Sequence, residues 1–538
     1  MGNEITKQGC SLPLLEKSTV FIVPFYFGES DLGNHTESGE PDFVVQESDI
    51  SLWKKETEVL TDEKEGNAIY PYIMSFLQGQ MMPIEDKKQS FLHIYSIARS
   101  ETNGKEQRTI IKRFWNKFTQ SVHTVEVGGD KTPRKLQFRF INGTQSMLNP
   151  HLYIYPSAGV GILSFAISLT TENATSEDLK LLNYHLHKIF HPLAKCVCRD
   201  LSLTGEEKPE IKAAKTNLIS QARSFIGRHV DAQSKQNPGE ENEELEFSWN
   251  MQSLCCTLLK DVQGPVNLFS PSRVHLFTIA SIDDSTNNQY SSSDIIPELY
   301  SLSRCVNNKY MLPVANINQV SDILQTFENT YMASCVEGSA FIAVLKKENK
   351  EFFANFRNTV AMRYFWIYLL AMVQRYSLLN IDRFLTKLSF NDVTRRDSVQ
   401  KYNNLLWQYL GTIQEVKVRC HFTDISCFSQ HNEFYKFCCD KLHVNIAYDE
   451  IDKKTKALNL TISHDMQIQQ EEEMKRQEKR DLRLNLFLGI LAALQAIGII
   501  YQFLEALCFD HNFYAAGLYF GLIVLAVIIV VILYSKKM

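Results

Sequence analysis

The chain has 538 residues, 44% hydrophobic and 22% charged, with a formal net charge of −5. That is ordinary globular composition, with enough chain for a large core and more than one domain. No basic excess is available to displace counterions from phosphate, which argues against a dedicated binder of nucleic-acid polymers.

The opening "MGNEITKQGC" contains no apolar stretch of signal-peptide type. Residues 18–27, "STVFIVPFYF", are rich in β-branched and aromatic residues and predict a buried strand. Residues 90–98, "SFLHIYSIA", and 135–141, "KLQFRFI", predict two more. Residues 28–66 are rich in Gly, Ser, Asp and Glu and predict an exposed excursion. The polar, acidic stretch 228–246 carries a Pro-Gly break and reads as a linker or loop between two α/β regions, 1–227 and 247–462.

Residues 153–173 and 331–349 read alike. Phe165, Leu169, Glu172 and Asn173 match Phe341, Leu345, Glu348 and Asn349 at equal offsets, and each segment is followed by a helical pattern. This is either a duplicated module or a chance likeness between two common hairpin–helix units. The apolar run 364–373, "YFWIYLLAMV", is bracketed by Arg363 and Arg375 and is too short to cross a bilayer. It predicts a buried core helix.

From Ser463 the sequence becomes a run of strong helix formers with no Gly or Pro. Glu471–Lys475 and Glu472–Arg476 stand in the favourable i,i+4 order. Nothing interrupts the pattern before the apolar stretch 484–504, so one continuous rod is predicted over about 463–505. A second apolar stretch, 513–534, follows the short segment 505–512, which lacks Lys and Arg. Each stretch reaches the roughly 20 residues that a bilayer requires. Lys475, Arg476, Lys479, Arg480 and Arg483 precede the first stretch, and Lys536 and Lys537 follow the second. The positive-inside rule puts both flanks in the cytoplasm and 505–512 outside. The expected fold is an α+β or α/β cytoplasmic body, a stalk helix over 463–483, a two-helix transmembrane hairpin and a short tail, 535–538.

The first apolar stretch carries amides. Asn485, Leu488, Ala492, Gln495, Ile499 and Gln502 follow one another at steps of three and four and share one helix stripe. A carboxamide facing hydrocarbon is costly and must find another helix or water. Two readings follow. The amides hydrogen-bond between helices as glue, or several copies turn the stripe inward around a water-filled path. Glu505 and Asp510, with no basic residue near them, would favour cations at the outer mouth.

This arrangement, over 463–538, resembles the CorA-type two-span metal-ion channels. In place of that family's Tyr-Gly-Met-Asn motif at the outer end of the first span, the chain has Tyr501-Gln502-Phe503-Leu504-Glu505. The resemblance implies a pentamer in which the first span lines the pore. It also implies a multi-pass protein of the bacterial inner membrane with both ends cytoplasmic, and a divalent cation as cargo. The large body resembles, more loosely, the CorA-like effectors found beside type III CRISPR systems. That likeness implies an antiviral role and gating by a nucleotide second messenger, in some cases S-adenosylmethionine joined to AMP.

No catalytic signature is present: no Gly-x-Ser-x-Gly, no P-loop, no His-Glu-x-x-His. The 12 cysteines, scattered or adjacent as in Cys255-Cys256 and Cys438-Cys439, point to reduced thiols rather than a secreted disulfide framework. His187, His191, Cys196 and Cys198 form one His/Cys group. Cys420, His421, Cys427, His431, Cys438, Cys439 and His443 form a denser one. Neither has regular zinc-site spacing, and no metal site is assigned. For a small anionic ligand, Arg395, Arg396 and Lys401 are the first candidates, since adjacent arginines before a helix can grip phosphate. Lys105, Arg108, Lys112 and Arg113 are the second. A gated oligomeric channel, a CorA-type divalent transporter and a membrane-anchored enzyme all remain open at this point.

Overall fold

The computed structural model describes residues 11–27, 52–55, 92–97, 118–127, 133–142, 147–189, 195–198, 247–262, 266–284, 290–306, 322–351, 355–387 and 422–507, with isolated positions elsewhere. Contacts divide the chain into two compact units, Met1–Ile451 and Asp452–Met538.

Among the described residues the first unit holds one sheet of fourteen strands. They are β1 (Leu14–Phe27), β2 (Trp53–Lys55), β3 (His93–Ile97), β4 (His123–Val127), β5 (Arg134–Phe140), β6 (His151–Tyr155) and β7 (Val160–Leu169). Then come β8 (Cys196–Cys198), β9 (Phe247–Trp249), β10 (Val266–Leu268), β11 (His275–Asp283), β12 (Ile323–Phe327), β13 (Thr330–Ser334) and β14 (Gly338–Leu345). The order is β12-β13-β14-β11-β1-β7-β5-β4-β8-β9, with β10 beside β1 and β6, β3 and β2 branching from β7. β1 lies antiparallel to both β7 and β11, and β11 lies parallel to β14. The long central strands are shared: β7 pairs β6 along its first half and β5 along its second.

Helices cover both faces. α1 (Ser176–Leu186), α2 (Met251–Leu258), α3 (Ser292–Ser303) and α4 (Phe356–Thr359) are followed, through a π turn at Val360–Tyr364, by α5 (Phe365–Lys387). Strand parity sorts them. Thr19 and Thr278, opposite each other on β1 and β11, both bond Asn183 of α1, at 2.9 and 3.1 Å. Phe277, the next residue on β11, faces the other way onto Phe365 and Tyr368 of α5, ring centroids 5.4 and 5.3 Å apart. The predicted core helix is therefore real, and every residue from Phe365 to Val373 is buried.

α6 (Ser429–Lys441) packs near α5. α7 (Val444–Leu507) is one helix of 64 residues, about 96 Å at 1.5 Å per residue. It begins 19 residues before the expected start, 463 − 444. The sequence 444–462 contains no Gly or Pro to stop it, and Val444, Ile451 and Thr455 are buried. On the rod proper the pair Glu472–Arg476 closes at 3.7 Å.

Three expectations change. The stretch 28–66 is not wholly exposed: Leu52 and Trp53 are buried, and Trp53 pairs with Ile97. The stretch 228–246 lies outside the described residues, and strands from both sides of it join one sheet and one compact unit, so 1–227 and 247–462 are not separate sheets. The two repeat segments are both antiparallel hairpins. Their next neighbours differ, because β7 meets β1 antiparallel while β14 meets β11 parallel. Asn173 sits at φ 52°, whereas Asn349 caps Lys346 through its side chain at 2.8 Å. A helix follows each hairpin, α1 after β7 and α4 with α5 after β14, so the likeness is that of two hairpin–helix units with different surroundings.

Of the predicted hairpin in the membrane, one apolar helix is in place. Gln470–Gln502 is long and apolar enough to span a bilayer, and almost none of it is covered. The second stretch, 513–534, is described only at 517–518, 521–525 and 528–529, which are helical.

Candidate functional site

The carboxamide stripe lies on the C-terminal part of α7. Asn485, Leu488, Ala492, Gln495, Ile499 and Gln502 are all exposed, Leu488 at 53% and Ile499 at 67%. Glu505 is exposed one turn further on. Asp510 lies outside the described residues.

Exposure along this helix is not uniform. Leu486, Ile490 and Ala493 are partly covered, and Ile497 retains only 8% exposure. These four recur at steps of four, three and four. At 100° per residue their mean direction lies roughly 160° around the axis from the mean of the six stripe residues. So the covered strip is narrow and wholly apolar, and among the described residues the amides lie on the exposed remainder of the helix, together with Leu484, Phe487, Leu491 and Leu494. A helix packing its polar side against its own partners would show the reverse.

The body offers no catalytic constellation among the described residues. No group of three His, Cys, Asp or Glu side chains is placed to hold a metal ion there. The first His/Cys group does not gather. His187 is buried and bonds the Asn183 carbonyl at 3.0 Å, Cys196 and Cys198 lie in β8, and His191 lies outside the described residues. In the second group Cys438 and Cys439 are buried while Cys427 is exposed; Cys420 and His421 lie outside the described residues. Burial pushes the Cys439 thiol up to about 12, so it is a packing thiol and not a reactive thiolate. Burial likewise holds His123, His187, His275 and His431 down to about 4. They are neutral core histidines. His123, for one, donates to the Phe118 carbonyl at 2.7 Å and accepts from the Trp249 indole at 3.0 Å.

Arg395, Arg396 and Lys401 lie outside the described residues, as do Lys105, Arg108, Lys112 and Arg113. What the sequence did not reveal is a cavity of about 200 Å³ beside the corner where α6 turns into α7. Its residues come from 374–378, 422–439 and 444–448, three segments with no common motif. Only the aromatic content of each could have drawn notice.

Neither a protein-family model, a curated protein nor a solved structure matches the chain.

Proposed function

We propose that the chain is one subunit of an oligomeric membrane channel, with the stripe of α7 turned toward a shared water-filled path and a small anionic ligand on the body as its gate. One observation carries this reading: Asn485, Gln495 and Gln502 share one exposed stripe of an apolar helix, and the few positions partly covered, 486, 490, 493 and 497, lie on the opposite side and are all apolar. Polar groups at membrane depth are tolerated where they meet water or other protein, and among the described residues these three amides are exposed. Glu505 and Asp510 bias the mouth toward cations.

The resemblance to CorA-type channels supports a pentamer of the bacterial inner membrane, both ends cytoplasmic. The likeness to CRISPR-associated effectors supports a nucleotide messenger as gate and an antiviral role. A divalent transporter is the weaker reading, because Gln502-Phe503-Leu504 stands where the selectivity motif would be. A mere membrane anchor is weaker still, since an anchor has no use for three amides on one stripe.

Gln495→Leu tests the proposal. In liposomes supplied with adenine nucleotide it should abolish ion flux while the ring stays intact by size and crosslinking, because an apolar constriction excludes water. Glu505→Gln with Asp510→Asn should reduce cation preference without closing the path. Glue predicts the opposite order of damage, the ring loosening before conduction falls. Normal conduction by Gln495→Leu in an intact ring would refute the pore.

A further inference from the structure

The corner between α6 and α7 is built to hold one backbone conformation. Its pivot, His443, sits at φ 55°, a left-handed conformation that non-glycine residues adopt at a cost. Two elements brace it. The Arg375 guanidinium of α5 donates to the Leu442 carbonyl at the end of α6, where a cation is favoured. The Ala447 amide donates to the His443 carbonyl at 3.0 Å and starts α7.

The cavity of about 200 Å³ opens beside this pivot and is walled from both sides of it. On the α5–α6 side the wall is fixed: Gln374 and the Tyr435 hydroxyl bond each other at 2.8 and 3.1 Å. Burial pushes the Tyr435 phenol well up, so it remains a protonated donor. On the α7 side the wall is Asn445 and Tyr448, and Phe422 closes another edge.

The wall chemistry defines what fits. Phe422, Tyr435 and Tyr448 offer flat apolar faces, which suit a planar ring. The amide of Asn445 carries donors and an acceptor, which suit the edge of a heterocycle, while that of Gln374 is engaged by Tyr435 and holds the wall. The volume is below the 300–1,000 Å³ of pockets that enclose drug-sized ligands, so it accommodates a ring and leaves any substituent at the rim. At the rim stands Lys436, paired with Asp424 at 2.9 Å, both side chains about half exposed or more. A pair this exposed is weak, so an incoming anion can take the place of Asp424.

We propose that this cavity binds the heteroaromatic ring of a nucleotide, with its phosphate on Lys436, and that occupancy sets the corner from which α7 departs. The proposal rests on the ligand-gated reading above and names the site. A ligand wedged between walls on either side of His443 favours one backbone conformation there. Since α7 runs unbroken to Leu507, that preference is passed along the helix carrying the stripe.

The test is calorimetry on the full-length protein in detergent, with AMP, adenosine and inorganic phosphate as probes. AMP should bind saturably, adenosine about 10-fold more weakly, and phosphate alone immeasurably. Lys436→Met should weaken AMP about 10-fold and leave adenosine unchanged, as expected for one charge-assisted contact. Tyr448→Ala should weaken both, and Tyr448→Phe should restore them. Absence of AMP binding, equal binding of phosphate and AMP, or AMP binding unaltered in the Lys436→Met/Tyr448→Ala double variant would each overturn the site. Flux separates this failure from that of the channel. AMP bound as described, with no AMP-dependent flux in liposomes, sinks the channel and leaves the site. AMP-dependent flux unaltered in the double variant sinks the site and leaves the channel.

Discussion

Lys180 on α1 and Glu298 on α3 meet at 2.9 Å, with side-chain exposures of 8% and 5%. The pair joins residues 118 positions apart, one from each side of the stretch 228–246. The second carboxylate oxygen of Glu298 is buried with no hydrogen-bond partner, so Lys180 supplies the compensation for that charge. At this separation and an effective dielectric near 20, the attraction is about 6 kcal/mol, most of it offset by desolvation of the two ions. Lys180→Met keeps the stem and removes the charge. Glu298 is then buried without a counter-charge, and the expected cost is about 3–5 kcal/mol. Lys180→Met with Glu298→Leu removes the uncompensated charge and should recover most of that loss, ending near or above the wild type. Urea unfolding of the full-length protein in detergent, followed by tryptophan fluorescence, measures this. All five tryptophans (53, 115, 249, 366 and 407) precede residue 451, so the signal reports the body. Both variants should move one transition, because one sheet spans both halves. If Lys180→Met costs less than about 1 kcal/mol, or if the double variant is no more stable than the single one, Lys180 does not compensate a buried Glu298 charge.

Stability of the body should also fall with acid. A histidine whose folded pKa is lowered binds fewer protons folded than unfolded, so stability is intact above about 6.5 and is lost as pH falls from 6.5 to about 4. For each of His123 and His275, fully buried with pKa about 4, that loss is about 3 kcal/mol; unfolding midpoints that stay flat over this window would contradict it. Gly338→Ala should destabilise by about 1–3 kcal/mol. A Cβ there would lie 2.5 Å from the Leu276 carbonyl oxygen and 3.0 Å from that of Ser303, both backbone atoms of packed elements; an unshifted urea midpoint would refute the clash.

The parts legible in the sequence were those with a strong period or a strong composition. "STVFIVPFYF" has no polar interruption long enough to mark an edge strand, and it lies at the centre of the sheet as β1. "YFWIYLLAMV" is apolar on all sides, and residues 365–373 of α5 are buried on all sides. Pairings between strands far apart were not legible. Nothing in "HLFTIASID" announces that it lies between β1 and β14, because parallel and antiparallel neighbours demand the same side chains. Trp53 was hidden for another reason. A three-residue strand inside a polar stretch has too few positions to show alternation. At the candidate site the stripe was visible, because three amides in an apolar run break the pattern. Which face the chain covers was not visible, because Leu, Ile and Ala recur all round α7 and only packing selects 486, 490, 493 and 497. The cavity was invisible for the same reason: its walls are set by how α5, α6 and α7 meet.

The energetics of the stripe limit the forms this chain can take in a membrane. An amide transferred from water to hydrocarbon without a partner costs about 4–8 kcal/mol, so three together approach or exceed the entire stability of an ordinary domain. The stretch 513–534 has no Asn, Gln, Ser, Thr or charged residue to offer them. Its three tyrosine hydroxyls, Tyr514, Tyr519 and Tyr534, carry one donor each against the two donors and one carbonyl of every amide, so they cannot satisfy all three, and the expected remaining partners are another copy or water. Depth separates the two. Asn485 and Gln502 are 17 residues apart, about 26 Å along a helix, close to the 30 Å of the hydrocarbon core, with Gln495 between them. A single interhelical contact needs one polar level. A conducting path is favoured by polar levels spread along its length, and the loss of any one amide lengthens the apolar stretch beside it and promotes dewetting. Asn485→Leu and Gln502→Leu should therefore each cut flux as Gln495→Leu does, with the ring intact in all three. If only one of the three matters, and it acts by loosening the ring, the stripe is a single contact between helices and the path runs elsewhere.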